Sequence, residues 1–284
     1  VTHFIGVQSD VTARREAEDA LRLANAQMRR DLEEAADIQQ AWLPRALPEV
    51  PGYEFTYNFR PCAELAGDGL NIVRLDEDQV GLYILDVCGH GVPAALLSAT
   101  LNRALSPLPE QSTLFAPAAD HPAGYAAAAP ATVAATLNRQ FRAGPQTGRF
   151  FTILYGILDL RSRRFRYVTA GHPPPVRITS EGARLCPQAR GVPIGVMEDF
   201  VFEECTVQLE PGDRLLIYTD GTFEAIDADD QELGQKRLLD ALAELYALPP
   251  AESLAEMVRR IEVWCPGDQP QDDITLLAID VGDA

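Results

Sequence analysis

Positive charge is scarce in this chain: 24 Lys and Arg residues stand against 42 Asp and Glu, a formal net charge of -18. Nucleic acid and anionic membranes are bound through positive potential, so this balance excludes both as expected partners. Long apolar runs are missing too. None approaches the roughly 20 residues a membrane-spanning helix needs, and none has the order of a signal peptide. Paired cysteines are also absent. Cys62, Cys88, Cys186, Cys205 and Cys265 are scattered without a CxxC pair, which argues against a zinc cage or disulfide framework and fits a reducing cytoplasm.

What is present suits a folded protein. The 284 residues are 46% hydrophobic, enough to bury a core in one large domain plus an appendage, or in two small domains. The chain opens on Val1 inside a strand-like run, so it is expected to be a piece of a longer protein. Residues 3–8 (HFIGVQ) alternate like the end of a strand. Asp10 and Thr12 then supply helix-start chemistry, because their side chains can cap free backbone N–H groups.

Residues 13–41 contain neither Gly nor Pro. Ala17, Leu21, Ala24, Met28, Leu32, Ala35, Ile38 and Trp42 recur at steps of three or four, which predicts one long helix with a narrow apolar seam. Such a seam pairs with a second copy as a coiled-coil homodimer, or lies on the helix's own domain. Pro44, Pro48 and Pro51 end the helix and begin a new unit. Strands are expected at 53–60, 70–75, 80–86, 150–159, 164–170, 174–179, 214–219 and 274–281, with helices at 92–105, 132–142, 235–247 and 251–264. Residues 106–131, rich in Pro and Ala, read as an irregular loop. Clustered strands and paired helices give an α+β fold with largely antiparallel sheets and helices packed outside them.

Three acidic sites stand by glycine, Asp68 in AGDG, Asp86 in DVCGHG and Asp220 in TDG, and a fourth, Asp272 in QDDIT, stands at the start of a strand. The last three adjoin apolar strands, which deliver their end residues to defined places. The glycines let the backbone turn sharply or approach a ligand. Taken singly, an Asp-Gly pair can be no more than a turn. Converging carboxylates without cationic partners repel one another, and hard divalent cations relieve that repulsion because Mg²⁺ and Mn²⁺ prefer oxygen ligands. Bound cations would also let an acidic protein take an anionic phosphate.

In order, AGD, DVCGHGVPAALLSA, TAGHPPP, LLIYTDGTFEA and DDITLLAI resemble the PPM family of metal-dependent protein phosphatases, in its SpoIIE/RsbU-like bacterial branch. The resemblance runs from about residue 38 to 281. It implies a sandwich of two antiparallel β-sheets flanked by helix pairs, preceded here by the long linker helix. It also implies two divalent cations, Mn²⁺ or Mg²⁺. Asp86 resembles the bridging carboxylate, the Val87 carbonyl an additional ligand, Asp68 the ligand of the GGD motif, and Asp220 and Asp272 the ligands completing the other site. Asp86 and Asp220 are accordingly the catalytic candidates. Asp273 is the weaker of the adjacent pair, since neighbouring strand residues point opposite ways. The implied reaction is hydrolysis of phosphoserine or phosphothreonine by activated water, without a phosphoenzyme. The implied substrate is a small phosphorylated regulator such as a STAS-type anti-anti-sigma factor. A partner-binding relay module without turnover, or another two-metal phosphohydrolase, are the alternatives.

Three departures from the family pattern carry expectations. Ala66 is a small change, tolerated unless that position needs positive φ. Gly69 removes an aromatic packing residue, which predicts a looser Asp68 and weak metal affinity. Asn71 lacks a charge at a position outside the core ligand set. His90, between two glycines, can orient phosphate or donate a proton, or serve as a turn residue. His172 reads as structural, at a strand-to-loop corner, and Thr275 as a support for the Asp272 loop.

Residues 3–12 (HFIGVQSDVT) resemble the last strand and exit of a PAS domain of the LOV subclass, with Gln8 matching its flavin-contacting glutamine. No flavin-binding cysteine motif occurs, so no flavin is expected in this chain. The resulting division is a sensor remnant at 1–12, a linker helix at 13–43 and a phosphatase domain at 44–284, in a cytoplasmic homodimer joined through the helix.

Overall fold

The computed structural model describes residues 10–121, 123–142, 148–267 and 270–282. The strand predicted at 3–8, and with it most of the PAS-like stretch, lies outside them. The first element, α1 (Thr12–Gln40), runs unbroken as its lack of Gly and Pro predicts. The Asp10 carboxylate accepts the Thr12 N–H at 2.9 Å, supplying the expected start. Residues 12–31 are exposed throughout, so over that length the helix does not lie on its own domain.

The strands β1 (Tyr53–Arg60), β2 (Gly69–Arg74), β3 (Gln79–Val87), β4 (Phe115–Pro117), β5 (Tyr125–Ala127), β6 (Phe151–Asp159), β7 (Arg164–Ala170), β8 (Val176–Thr179), β9 (Gly182–Leu185), β10 (Cys205–Gln208), β11 (Arg214–Tyr218) and β12 (Ile274–Val281) follow. One antiparallel sheet has the order β1-β12-β11-β8-β9 and the other β10-β7-β6-β3-β2. Between the strands come α2 (Val92–Ala104), α3 (Pro130–Gln140), α4 (Gly234–Glu244) and α5 (Pro250–Trp264). Residues 106–131 are more ordered than the composition predicts, forming a 3-10 turn and the β4–β5 hairpin. Strands β9 and β10 are too short to show a period in the sequence.

Alternation along the strands builds the layers. Leu70, Ile72, Leu82, Ile84, Leu154, Leu215, Ile217, Leu277 and Ile279 interdigitate between the two sheets. Tyr83, Leu85, Ile153 and Tyr155 face the other way, under Leu101 of α2 and Val133 and Leu137 of α3. Leu216, Tyr218 and Leu276 face α4 and α5 through Leu238, Leu242, Leu254 and Met257. The central strands are covered on both faces, which is why they read as continuous apolar runs. Truncating an inter-sheet residue such as Leu277 to Ala would cost about 2–5 kcal/mol, from lost transfer energy plus a cavity.

Candidate active site

The period-two rule that fills the inter-sheet layer also builds the site. Asp68 is two residues before Leu70, Asp86 two after Ile84, Thr219 two after Ile217 and Thr275 two before Leu277. All four therefore share the inter-sheet face, where the apolar core gives out at one end of the sandwich. Asp220 follows in a single 3-10 turn, Asp220–Thr222. Asp272 stands just ahead of β12. Gly221 belongs to this turn for a steric reason: a Cβ there would come within 2.2 Å of the Asp273 carbonyl oxygen.

Asp68 is 3% exposed and one of its oxygens, Oδ2, accepts hydroxyl bonds from both Thr219, at 2.9 Å, and Thr275. Thr275 thus supports Asp68, correcting the expectation that it serves the Asp272 loop; Asp272 instead bonds the next N–H in the chain, that of Asp273, at 2.8 Å. The expected loosening of Asp68 by Gly69 is likewise not found. A Cβ at Gly69 would stand 3.1 Å from both Ser98 and Asn102 of α2, so the space an aromatic ring would need is already filled. Ser98 also donates to the Asp68 carbonyl at 3.1 Å. Ala66 is fully buried and is not among the residues with positive φ.

The adjacent aspartates part company. Asp273 is 4% exposed and its carboxylate accepts the backbone N–H groups of Cys62 (2.8 Å), Gly67 (2.7 Å) and Asp68 (3.3 Å). It pins the loop carrying Asp68 to the start of β12. Asp272 is exposed at the mouth of the site. Cys62, Asp272 and Asp273 place donor atoms within 4.8 Å of one another, but Asp273 is committed to backbone. The Cys62 thiol is pushed up to about 12 by burial and then by Asp273 and Asp272, so it stays protonated.

The electrostatics are one-sided. Burial, followed by the charges of Asp220, Asp272, Asp273 and Glu224, raises Asp86 to about 8. Burial and then Asp86 and Asp273 lift Asp68 well above the carboxylate range, against the two threonine hydroxyls. Burial also raises Asp220 and Asp272. None of the charges dominating Asp86 or Asp68 is positive. His90, exposed between Gly89 (φ +83°) and Gly91 (φ +79°), is near enough to Asp272 to favour its anion. Oxygen donors at this density suit hard divalent cations. In a two-ion centre ligands on opposite ions stand up to about 8 Å apart, so the four carboxylates need not form one compact cage.

Several site residues carried no sequence signal. Gln39, the one buried residue of α1, donates to the Ala66 carbonyl at 2.7 Å and accepts the Ala66 N–H at 3.0 Å. The end of the linker helix is thereby joined to the residue two before Asp68. Met28, Leu32 and Ile38 of this helix, with Trp42 just beyond its end, also line an apolar groove opposite Val92 and Leu96 of α2. Thr219 and Glu224 sit inside the TDG motif, where only a periodicity count would have marked Thr219.

Solved structures share this architecture. The SiaA-PP2C domain of Pseudomonas aeruginosa superposes with a TM-score of 0.74 at 22% identity, covering 91% of this chain and 98% of that one. The fold is therefore that of a PP2C-type phosphatase domain. A family model described as Stage II sporulation protein E (SpoIIE) matches residues 76–282, and the chain belongs to that family, whose domains are metal-dependent protein serine phosphatases. Phosphoserine phosphatase RsbU of Bacillus subtilis (strain 168) is 24% identical over 260 residues, 91% of this chain and 72% of RsbU. Protein IcfG of Synechocystis sp. is 26% identical over 264 residues, 88% of this chain. The chain spans only 41% of the length of IcfG.

Proposed function

We propose that this chain is the catalytic part of a signal-regulated phosphatase that hydrolyses phosphoserine or phosphothreonine on a small regulatory protein. The observation that carries the reading is the convergence of Asp68, Asp86, Asp220 and Asp272, with no positive charge among those that dominate Asp86 and Asp68 and with Asp86 raised to about 8. Such a donor set fits two divalent cations, Mn²⁺ or Mg²⁺. Asp86 would bridge them, the Val87 carbonyl and Asp68 would add ligands, and Asp220 and Asp272 would complete the other site. When bound, the ions lower the pKa of water and neutralise the phosphoryl oxygens.

The chain's own residues set the conditions for that chemistry. Thr219 and Thr275 hold one oxygen of Asp68 and leave the other directed by the Asp68 backbone, which Asp273 pins. Asp86, protonated at neutral pH without metal, releases its proton as cations bind. Asp272 and His90 occupy the exposed mouth, where the phosphoryl group of a protein substrate enters. Resemblance to phosphatases of phosphorylated regulators favours a STAS-type anti-anti-sigma factor as substrate.

Regulation follows from α1. A homodimer through its exposed stripe, which includes Leu21 and Met28, would couple an upstream PAS-like sensor to the site. One route passes from Gln39 to Ala66 and Asp68, the other across the apolar groove to α2 and the Asp86–Val87 loop. Two arrangements differing by a few kcal/mol suffice for such a switch.

The test is a phosphoserine peptide assayed with Mn²⁺ or Mg²⁺ and with excess chelator. Turnover should require the added cation and vanish in Asp86→Asn, with the fold retained. Full turnover in chelator, or a higher specificity constant on a phosphodiester than on any phosphoprotein, would overturn the reading.

A further inference from the structure

His172 is 1% exposed and stands on the crossing from β7 of one sheet to β8 of the other. Its Nδ1 is 2.8 Å from the Thr152 hydroxyl. Thr152 of β6 is the cross-strand partner of Asp86 in β3. Directly opposed residues of an antiparallel pair share a face, with Cβ atoms about 4.5–5.5 Å apart. The hydroxyl that meets His172 therefore stands beside the Asp86 carboxylate.

The other ring nitrogen, Nε2, is buried with no hydrogen-bond partner among the described residues. The backbone of Tyr218 in β11, two residues before Asp220, is the polar group near enough to favour its protonation. A neutral ring protonated on Nε2 leaves Nδ1 free to accept the Thr152 hydroxyl. Burial holds the ring neutral, its pKa pushed down to about 3. The position is braced: Gly171 has φ +70° with Pro193 packed against it, and Gln188 donates to the His172 carbonyl at 3.0 Å.

We propose that His172 is a positioning residue that fixes the separation of Asp86 from the end of β11 that carries Asp220, acting through Thr152 on one sheet and from its place on the crossing from β7 to β8, the neighbour of β11, on the other. Asp86 lies in β3 of one sheet and Asp220 follows β11 of the other, and among the described residues no strand ladder joins those sheets. A rigid buried ring between them sets the spacing that two-cation binding demands, because Mg²⁺ in particular tolerates little departure from octahedral geometry. The inference rests on the metal-site reading above.

Its test is Mn²⁺ binding by titration calorimetry, alongside thermal unfolding in chelator. The variants are Thr152→Val, Thr152→Ser, His172→Gln and the double variant Thr152→Val/His172→Gln. Removing an outer-shell partner of a metal ligand typically weakens affinity 10–100-fold. Thr152→Val should weaken Mn²⁺ binding at least about 10-fold while still unfolding in one cooperative transition in chelator, and Thr152→Ser should restore it. The double variant should be no weaker than the worse single one, since both cut the same link. Should His172→Gln fail to fold, the Thr152 pair still decides. Unchanged Mn²⁺ affinity in Thr152→Val, or losses that add in the double variant, would refute the inference alone. A wild type that binds no Mn²⁺ would sink the metal-site reading and this inference together.

Discussion

Asp272 and Asp273 are neighbours of identical chemistry, yet replacing each by Ala should give opposite signatures. Asp273 accepts two short backbone bonds, from Cys62 at 2.8 Å and Gly67 at 2.7 Å, and a longer one from Asp68 at 3.3 Å. Hydrogen bonds to a charged group contribute about 1.5–3 kcal/mol each, so losing the two short ones costs about 3–6 kcal/mol. Removing a negative charge from a crowded acidic centre returns some of this. At about 8 Å and an effective dielectric constant of about 20, one carboxylate pair repels by about 2 kcal/mol. Asp273→Ala should therefore destabilise the metal-free protein by about 1–4 kcal/mol, a sizeable share of an ordinary domain's stability. Asp272 is exposed and, among the described residues, bonds only the adjacent N–H. Asp272→Ala should leave metal-free stability within about 1 kcal/mol or raise it, while abolishing high-affinity Mn²⁺ binding. Urea unfolding in chelator at pH 7 measures the first quantity and calorimetry the second. If Asp273→Ala unfolds at the wild-type urea midpoint, its carboxylate does not pin the Asp68 loop and the division of roles is wrong.

Metal-free stability should fall as pH rises from about 6.5 to 8. The raised Asp86 and Asp68 bind protons in the folded state that the unfolded chain has released, so their contribution is lost as pH climbs toward the folded value of about 8 for Asp86. Below about 6.5 the neutral buried His172, lowered to about 3, opposes that slope, because there the unfolded state binds its proton more readily. Thermal midpoints in chelator at pH 6.5 and 8 check the sign, and added Mn²⁺ should flatten or reverse it. Thr275→Val should cost about 1–3 kcal/mol and weaken metal binding, by removing a donor from buried Asp68; an unchanged variant would deny the support role. Leu21→Glu with Met28→Glu should halve the particle mass in light scattering and change basal turnover, whereas Arg22→Glu should do little. Equal mass and equal turnover for the full chain and a version starting near residue 44 would reduce α1 to a tether.

How much of this was legible in the sequence depends on range. The long helix, the eight strands expected on apolar runs and the four helices after Pro51 rest on local periodicity and on breakers, and they appear within a few residues of expectation. Asp68, Asp86, Asp220 and Asp272 were visible because each stands in a recognisable run, the first three with glycine close by. Strands β9 and β10 were missed because four residues hold only two alternations. The roles of Thr275, Gly69 and Gln39 were not readable, since each depends on a partner far along the chain: Asp68 for Thr275, α2 for Gly69, Ala66 for Gln39. Local pattern determines which face of a strand a residue takes. Which strand that face then meets, and so which carboxylate is clamped, which is buried and which is left open at the mouth, was decided only when the two sheets packed together.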